Sequence, residues 1–539
     1  MSAQELITDH LDLWTSAVTH KSGSGHSASG KNGKIELTGI KKLRELILEL
    51  AVRGKLAEQD PSDEPASELL DRIAEEKTRL VKEGKIKKSK GLKPIDEKDK
   101  PFFLPEGWSW VRLGETMEMY NGKAFKSSEW STSGLPIVRI QNLNDPHAPT
   151  NYFNGEINEN HRIDNGAFLI SWSGTPGTSF GAFIWERGPA ALNQHINKCV
   201  FFGDHLEPLF MKLAVNGQMS HFVQSAQGGV GLKHVTKSVL NNALIALPPF
   251  AEQCKIVEKV DELMALCDRL EQQVGDQLKA HEVLVDTLLD ALTRSADAAE
   301  VAESWARVAE HFDTLFTTEA SIDKLKLVVL DLAASGKLID FHVEKRPLKN
   351  ILSFGPRNGL SPKESSFHTG IKVLKLGATT KGTLKLSESK DIDIDEPESS
   401  HLWLKKGDIL IQRGNAARHV GCNIMIESNQ PGFIYPDLMM KIRTKKEANP
   451  KFISYCLSSP QSRIFMWDRM TGTSGTMPKI SKKTVGSIPV PLPDIKTQTA
   501  TVEKVDELMA LCDRLKVRLG ETAETRAQLA EAVVNQTVS

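Results

Sequence analysis

Two stretches of this chain have the residue types and spacing to handle phosphate or a nucleotide. Gly25-x4-Gly30-Lys31 is spaced like a phosphate-binding loop. Asn32 stands where Ser or Thr would hold magnesium, no apolar strand leads in, and Gly33 follows where a helix should begin. The surrounding KSGSGHSASGKNGK is of low complexity and reads as a linker. The second stretch, SGTPGTSFG (Ser173–Gly181), is rich in glycine but lies between two expected strands, where it reads as a hairpin loop. No PD…ExK nuclease pattern can be assembled, so the remaining chemistry is recognition. Asn, Gln, Ser, Thr and His fill the loops between residues 104 and 250, and such side chains can read base edges.

Leu247-Pro248-Pro249-Phe250 resembles the NPPF loop of amino-methyltransferases. Leu247 cannot accept the hydrogen bond from the target amino group that Asn or Asp accepts there. The six cysteines (Cys199, Cys254, Cys267, Cys422, Cys456, Cys512) include no CxxC pair, so reduced thiols and no metal site are expected. Composition is that of a soluble globular chain, 40% hydrophobic and 25% charged with net charge −1. No apolar run reaches membrane-spanning length and MSAQELITDH lacks the pattern of a secretory signal, so a cytoplasmic location is expected.

The elements that must position those loops come in duplicate. VEKVDELMALCDRL occurs at Val257–Leu270 and again, letter for letter, at Val502–Leu515, which marks an internal repeat. Val260, Met264, Cys267 and Val274, then Leu278, Val285, Leu288 and Leu292, fall at helical spacing in a narrow seam; Val505, Met509 and Cys512 repeat it. Glu271 and His281 interrupt the seam, and two copies of one seam most simply pair with each other. A helix of roughly forty residues is a rod of about 60 Å. A second repeat aligns LRELILELAVRGKL (Leu43–Leu56) with LKLVVLDLAASGKL (Leu325–Leu338). The fold class expected is α+β: two tandem mixed α/β domains separated by long helices pairing as an antiparallel coiled coil, pseudo-twofold.

The expected segments are a helical arm with a linker (1–100), a first mixed domain (101–250), a long helix (251–297) and connecting helices (298–345). A second mixed domain (346–495) and a last long helix (496–539) complete the order. Within the arm, residues 3–18, 40–56 and 66–83 read as helices, followed by the basic run KIKKSK (Lys85–Lys90). From 346 to 495 the chain has 23 Lys and Arg against 13 Asp and Glu, a basic excess suited to phosphates. From 104 to 250 it has 10 against 11.

GKIELTGIKKLRELILELAVRGKL, NGKAFKSSEW…LPIVRIQNLN, the LPPFAEQ and VPLPDIKTQ segments and the duplicated seam together resemble the specificity subunit of a Type I restriction-modification enzyme. The N-terminal portion is similar to the branch with an extended amino-terminal arm. The resemblance implies two target-recognition domains, each reading half of a bipartite DNA target in the major groove. It implies long helices that set the spacer and dock two methyltransferase subunits, joined by translocating restriction subunits. S-adenosylmethionine then belongs to the partner methyltransferase, which flips out and methylates adenine, and this chain is a non-catalytic subunit with no cofactor of its own. Half-sites about one turn apart, roughly 10–10.5 bp, and an asymmetric target follow from two differing readers on one face of DNA.

The candidate base contacts in the first domain are Asn121, Lys123, Arg139, Gln141, Asn142, Ser173, Thr175, Gln194 and His195. In the second they are Lys375, Thr379, Lys381, Gln412, Arg413, Asn415, Arg418 and Asp437. Arg and Lys suit guanine, Asn and Gln suit adenine. Lys126, Lys233, Lys479, Lys482 and Lys483 are candidate phosphate contacts. Two other readings stay open at this point: a coiled-coil scaffold whose mixed domains bind protein partners, and a fused restriction-methylation enzyme without its catalytic part.

Overall fold

The computed structural model describes residues 7–20, 35–88, 91–174, 180–218, 233–234, 236–380, 382–472 and 477–538. The glycine loop at 25–31 and the candidates Thr175 and Lys381 lie outside them, as does the side chain of Lys233. The chain forms two compact units. One comprises 35–274 with both chain ends, 1–19 and 525–539; the other comprises 275–524 with 20–34.

In the first unit, α1 (Leu11–Ser16) lies against α2 (Thr38–Val52). Trp14 is buried, and Gly39 meets its backbone so closely that a Cβ would sit 2.2 Å from the Trp14 carbonyl oxygen. The face of α2 carrying Leu43, Leu46, Ile47 and Leu50 is buried, as an amphipathic helix requires. Helix α3 (Ala66–Lys82) follows, then the mixed domain. Its first sheet runs, in spatial order, Gly181–Trp185, Ala167–Ser171, Ile196–Phe201, Met117–Asn121, antiparallel throughout. Its second runs Tyr152–Phe153, Leu135–Val138, Ala190–Leu192, Arg162–Ile163, with the middle pair parallel. Val138, Ala190 and Leu192 of one sheet pack with Leu169, Trp185 and Ile196 of the other to make the core.

The second unit repeats this plan. Its first sheet runs Asn423–Met425, Ile409–Gln412, Met439–Thr444, Leu352–Asn358. The second runs Ser389–Asp391, Lys372–Leu374, Gln430–Ile434, Trp403–Leu404, again with the middle pair parallel. Strand order and direction match those of the first domain, although the two sequences have little in common. Alternating apolar residues on short strands specify the sheets, and many different loops satisfy the same frame.

The long helices are α4 (Phe250–Arg294) and, at the end of the chain, Ile495–Val538. Between α4 and the second mixed domain come α5 (Ala298–Glu310) and α6 (Glu319–Ala334); the terminal helix is α7. Each unit holds the start of one long helix and the end of the other. Val260, Cys267 and Val274 are buried, as the seam requires, but Leu263 rather than Met264 and Leu289 rather than Leu288 complete the buried stripe. A straight helix at 3.6 residues per turn drifts away from a 3.5-residue pattern, which moves the buried position by one.

The short helices cover that stripe. Val505 packs on Val329, Leu330 and Ala333 of α6, with Met509 beside them, and Cys512 joins Val285, Leu289 and Leu292 in the neighbouring cluster. Arg44 of α2 reaches Asp268 at 2.6 Å and Glu271 at 3.0 Å in the first unit. Lys326 of α6 is bonded to Asp513 in the second. Both pairs occupy equivalent positions of the two repeats, so they mark the same register of short helix on long helix. The two polar breaks in the seam have partners as well: Glu271 holds Arg44, and the His281 ring meets the Thr314 carbonyl at 3.0 Å.

Candidate nucleic-acid interface

The candidates converge on one corner of each mixed domain, and the same backbone frame builds both corners. In the first, Trp172 N–H donates to the His195 carbonyl at 3.3 Å, and Ser173 pairs with His234. In the second, Arg413 N–H donates to the Leu438 carbonyl at 2.9 Å, and Gly414 pairs with Lys479. Arg139 and Lys375 each follow the central parallel strand, Leu135–Val138 or Lys372–Leu374, at the same place. Three segments thus meet in each domain with the same geometry and different side chains.

In the first domain the Trp172 and His195 rings lie 5.2 Å apart. Gln194 Oε1, Arg139 Nε and both amide atoms of Asn197 are buried without a hydrogen-bond partner among the described residues. Asn197 is 1% exposed and sits on the central strand opposite Asn121, so unspent polar groups gather behind this corner. Unpaired buried polar groups cost free energy, and their concentration marks a place where a fold carries function at its own expense. Arg139 also lies over the half-exposed Trp130 ring, 5.8 Å from guanidinium carbon to centroid. Asn121 is exposed at its strand end, where its carbonyl meets the His161 ring at 2.9 Å.

Several candidates are turned inward and hold loops. Lys123 is bonded to Glu129 at 2.7 Å and lies over the Phe153 ring at 4.2 Å. The buried Asn142 side chain accepts from Arg139 N–H and donates to Ala148 and Thr150, while its carbonyl accepts from Arg187. Gln141 donates to the Pro149 carbonyl at 2.9 Å, and Ser173 is buried. Lys126 is exposed beside them, its backbone N–H on Glu129.

In the second domain Gln412, fully buried, donates to the Leu376 carbonyl and to the hydroxyls of Thr379 and Thr380. Its Oε1 accepts from Asn415 at 2.6 Å. Gln412 and Thr379 therefore lie behind the surface, contrary to a direct contact with bases, because they tie the 376–380 loop to the 413–416 loop. Asn415 is spoken for on both sides, since its Oδ1 caps Ala416 N–H at 2.7 Å. Asp437 accepts from Ser361 at 2.5 Å. Lys375, Arg418, Lys479, Lys482 and Lys483 are exposed, the last two in the first turn of a helix capped by Ser481.

The buried Asp408, just before the strand Ile409–Gln412 whose far end carries this corner, holds Lys441 at 3.1 Å and Arg443 at 2.5 Å. Burial pushes the Lys441 ammonium below its usual range and the Asp408 charge opposes that shift. Asn197, Trp172 and the Asp408–Lys441 pair escaped the sequence reading. Asn197 and Lys441 sit inside strands, where a polar residue among apolar ones was the available signal, while Trp172 and Asp408 lie just outside strand ends. Among the described residues no cluster of His, Cys, Asp and Glu could hold a metal, and no helix is long and apolar enough to cross a membrane.

Comparison with known proteins gives the setting for this geometry. Residues 105–280 and 342–524 match the family model described as the Type I restriction modification DNA specificity domain, once over each mixed domain and the helix that follows it. Over 593 aligned residues, 99% of each chain, the protein is 34% identical to the Type I restriction enzyme EcoEI specificity subunit of Escherichia coli. It is 32% identical to the EcoAI specificity subunit of the same species over the full length of both. The crystal structure of the HsdS subunit from Thermoanaerobacter tengcongensis aligns at 16% identity and a TM-score of 0.42, covering 81% of this chain and 98% of that one.

Proposed function

The chain belongs to the specificity subunits of Type I restriction-modification enzymes, and from that premise we propose that each corner reads one half of a bipartite DNA target. The observation that carries this reading is the repeated frame with exchanged side chains: Trp172 and His195 in one domain, Arg413 and Leu438 in the other. One scaffold holding two different sets of polar groups is what an asymmetric, split target requires. The chain is the non-catalytic part of its complex and assembles with DNA and with restriction-modification partners.

Two methyltransferase subunits dock on the helical scaffold in this reading, and restriction subunits join that core in the cytoplasm. The S-adenosylmethionine is held by the methyltransferase, whose chemistry needs no group from this chain. The long helices set the spacer between half-sites because they carry the two mixed domains at fixed points along a repeat. Candidate contacts at the surface are Asn121, Arg139, Lys375, Arg413, Arg418, Lys479, Lys482 and Lys483. Gln412, Thr379 and Asn142 act from behind by fixing loops.

The test is to map methyladenine across the genome of a host carrying this gene with a methyltransferase gene from its own system, against a deletion. Methyladenine at one asymmetric, split motif that vanishes with the deletion supports the reading and supplies the sequence. No gene-dependent motif, with both proteins expressed and assembled, would transfer the mixed domains to recognition of protein partners.

A further inference from the structure

Downstream of the second corner the chain changes character. Between residues 448 and 493 there are six Lys and Arg and a single acidic residue, Asp468. Two of these arginines, Arg463 and Arg469, belong to the helix Pro460–Trp467 and the turn after it. Neither they nor Arg418 is within ion-pair distance of a carboxylate among the described residues, whereas Arg443 is held by Asp408.

The three arginines are nevertheless held in place. Arg463 donates to the Arg418 carbonyl at 2.8 Å and lies over the Trp467 ring at 5.1 Å. Trp467 donates its indole N–H to the Val420 carbonyl at 3.1 Å, which closes the loop onto the helix. Arg418 donates to the His419 ring at 3.0 Å. Arg469 lies over the Phe465 ring, its guanidinium carbon 3.8 Å from the centroid, and donates to the Phe465 carbonyl. The joint between loop and helix is tight: Gly421 has φ +81°, and a Cβ there would lie 2.7 Å from Met466.

A cation fixed on an aromatic face and bonded to a backbone carbonyl keeps several N–H donors free and has lost little entropy still to lose on binding. Beside these donors, Trp467 is 38% exposed and Ile464 54%, an unusual display of apolar surface on an eight-residue helix. Uncompensated guanidinium groups with a flat apolar strip between them match the alternation of phosphate and deoxyribose along a DNA strand. Between the helix Pro208–Gly217 and Lys233 the first half has no Lys or Arg, whereas between the helix Pro450–Ser458 and Lys479 the second has Arg463 and Arg469.

We propose that Arg418, Arg463 and Arg469, with Trp467 and Ile464, anchor the phosphodiester backbone of one DNA strand beside the half-site read by the second mixed domain. This rests on the DNA-reading function proposed above and adds an asymmetry to it: the backbone grip belongs mainly to the second domain. The anchor fixes register and contributes no base preference.

The experiment measures the affinity of the complex of this chain with its methyltransferase for duplexes at several salt concentrations. One duplex carries the target and one has both halves scrambled. Arg469→Ala is the cleanest variant, because Arg469 holds no part of the recognition loop. It is expected to lower the slope of log K against log salt by about 0.9, the value of one phosphate contact, equally on both duplexes. Arg469→Lys keeps the slope, Arg463→Ala with Arg469→Ala lowers it by about twice as much, and Asp468→Asn tightens binding at low salt. An unchanged slope in Arg469→Ala and in the double variant overturns the anchor, as does a loss confined to one base position. A slope kept intact while less methyltransferase is retained in the complex also overturns it, and assigns the patch to a protein partner. Wild-type binding that ignores salt altogether would instead sink the DNA-reading function itself.

Discussion

Gln498 accepts the backbone N–H of Asn449 at 2.7 Å, and Gln253 does the same for Glu207 at 2.9 Å in the other half of the chain. Each glutamine also donates backward, Gln253 to the Pro248 carbonyl and Gln498 to those of Pro493 and Glu447. Both are fully buried at the start of a long helix. This explains why LPPFAEQ and VPLPDIKTQ end alike: the amide fastens a domain helix to the long helix that carries it. Replacing Gln498 by Ala strands an N–H and two carbonyls, at about 1–3 kcal/mol for buried polar groups left unpaired. Urea denaturation should show that loss, with faster hydrogen exchange at Asn449. A change within experimental error would remove the joint from the account.

Asp408 is the more exacting case, because the charge it neutralises is itself buried. Asp408→Asn leaves Lys441 without its counter-charge and should destabilise the chain by roughly 3–5 kcal/mol. Asp408→Asn combined with Lys441→Met removes both charges and should recover most of that loss. If the double variant is as unstable as the single one, hydrogen bonds from Lys405 N–H and to the Trp403 carbonyl matter more than the ion pair.

The helical scaffold was legible in the sequence because the repeat wrote it twice. VEKVDELMALCDRL gave both long helices, and the aligned LRELILELAVRGKL and LKLVVLDLAASGKL gave α2 and α6, whose basic residues Arg44 and Lys326 reach Asp268 and Asp513. The sheets were legible as short apolar runs, but their order was not, since strands such as Arg162–Ile163 are two residues long and carry no period. The corners were legible only as regions. Gln412 and Asn142 have the chemistry of base readers, and nothing in sequence distinguishes an amide facing a groove from one facing a loop carbonyl. Arg463 and Arg469 were readable as basic residues among aromatics in QSRIFMWDRM, yet their freedom from carboxylates exists only in three dimensions.

Glu252 gives the first mixed domain a dependence on pH. Its carboxyl is pushed up to about 7, chiefly by burial, and it accepts the Trp108 indole N–H at 2.9 Å while its other oxygen has no partner among the described residues. A carboxyl whose pKa is higher folded than unfolded favours the folded state while protonated. The contribution of this carboxyl to stability is therefore full at low pH, falls as pH rises from about 4.5, the ordinary value, to about 7, and is level above. The loss is roughly 2–3 kcal/mol. Thermal unfolding at pH 5 and pH 8 should show it, and Glu252→Gln should shrink the difference between the two. An equal difference in the variant would mean that other groups set the profile.

The spacer prediction tests the long helices. Four residues inserted into α4 add about one turn, roughly 6 Å of rise. If the helix sets the distance between half-sites, the methylated motif should keep both halves and lengthen its unspecified middle. An unchanged spacer with an assembled, active complex would show that the distance is set elsewhere.

Arg413 and Gln412 are neighbours that should fail differently. Arg413 holds the loop frame through its backbone, giving N–H to Leu438 and carbonyl to Ile480, so Arg413→Ala leaves the frame standing and removes only the side chain. Its buried Nε has no hydrogen-bond partner among the described residues. If it reads guanine, the variant should lose about 1–3 kcal/mol of discrimination at one position of the second half-site, with the salt slope unchanged. Gln412→Ala unties the 376–380 loop from Asn415, so it should blur several positions of that half-site and destabilise the domain. Binding of each variant to a set of single-position duplexes separates the two. A loss in Arg413→Ala spread evenly over all sequences would make the residue a phosphate contact, and a Gln412→Ala variant as selective as the parent would show that the loop tie has no part in recognition.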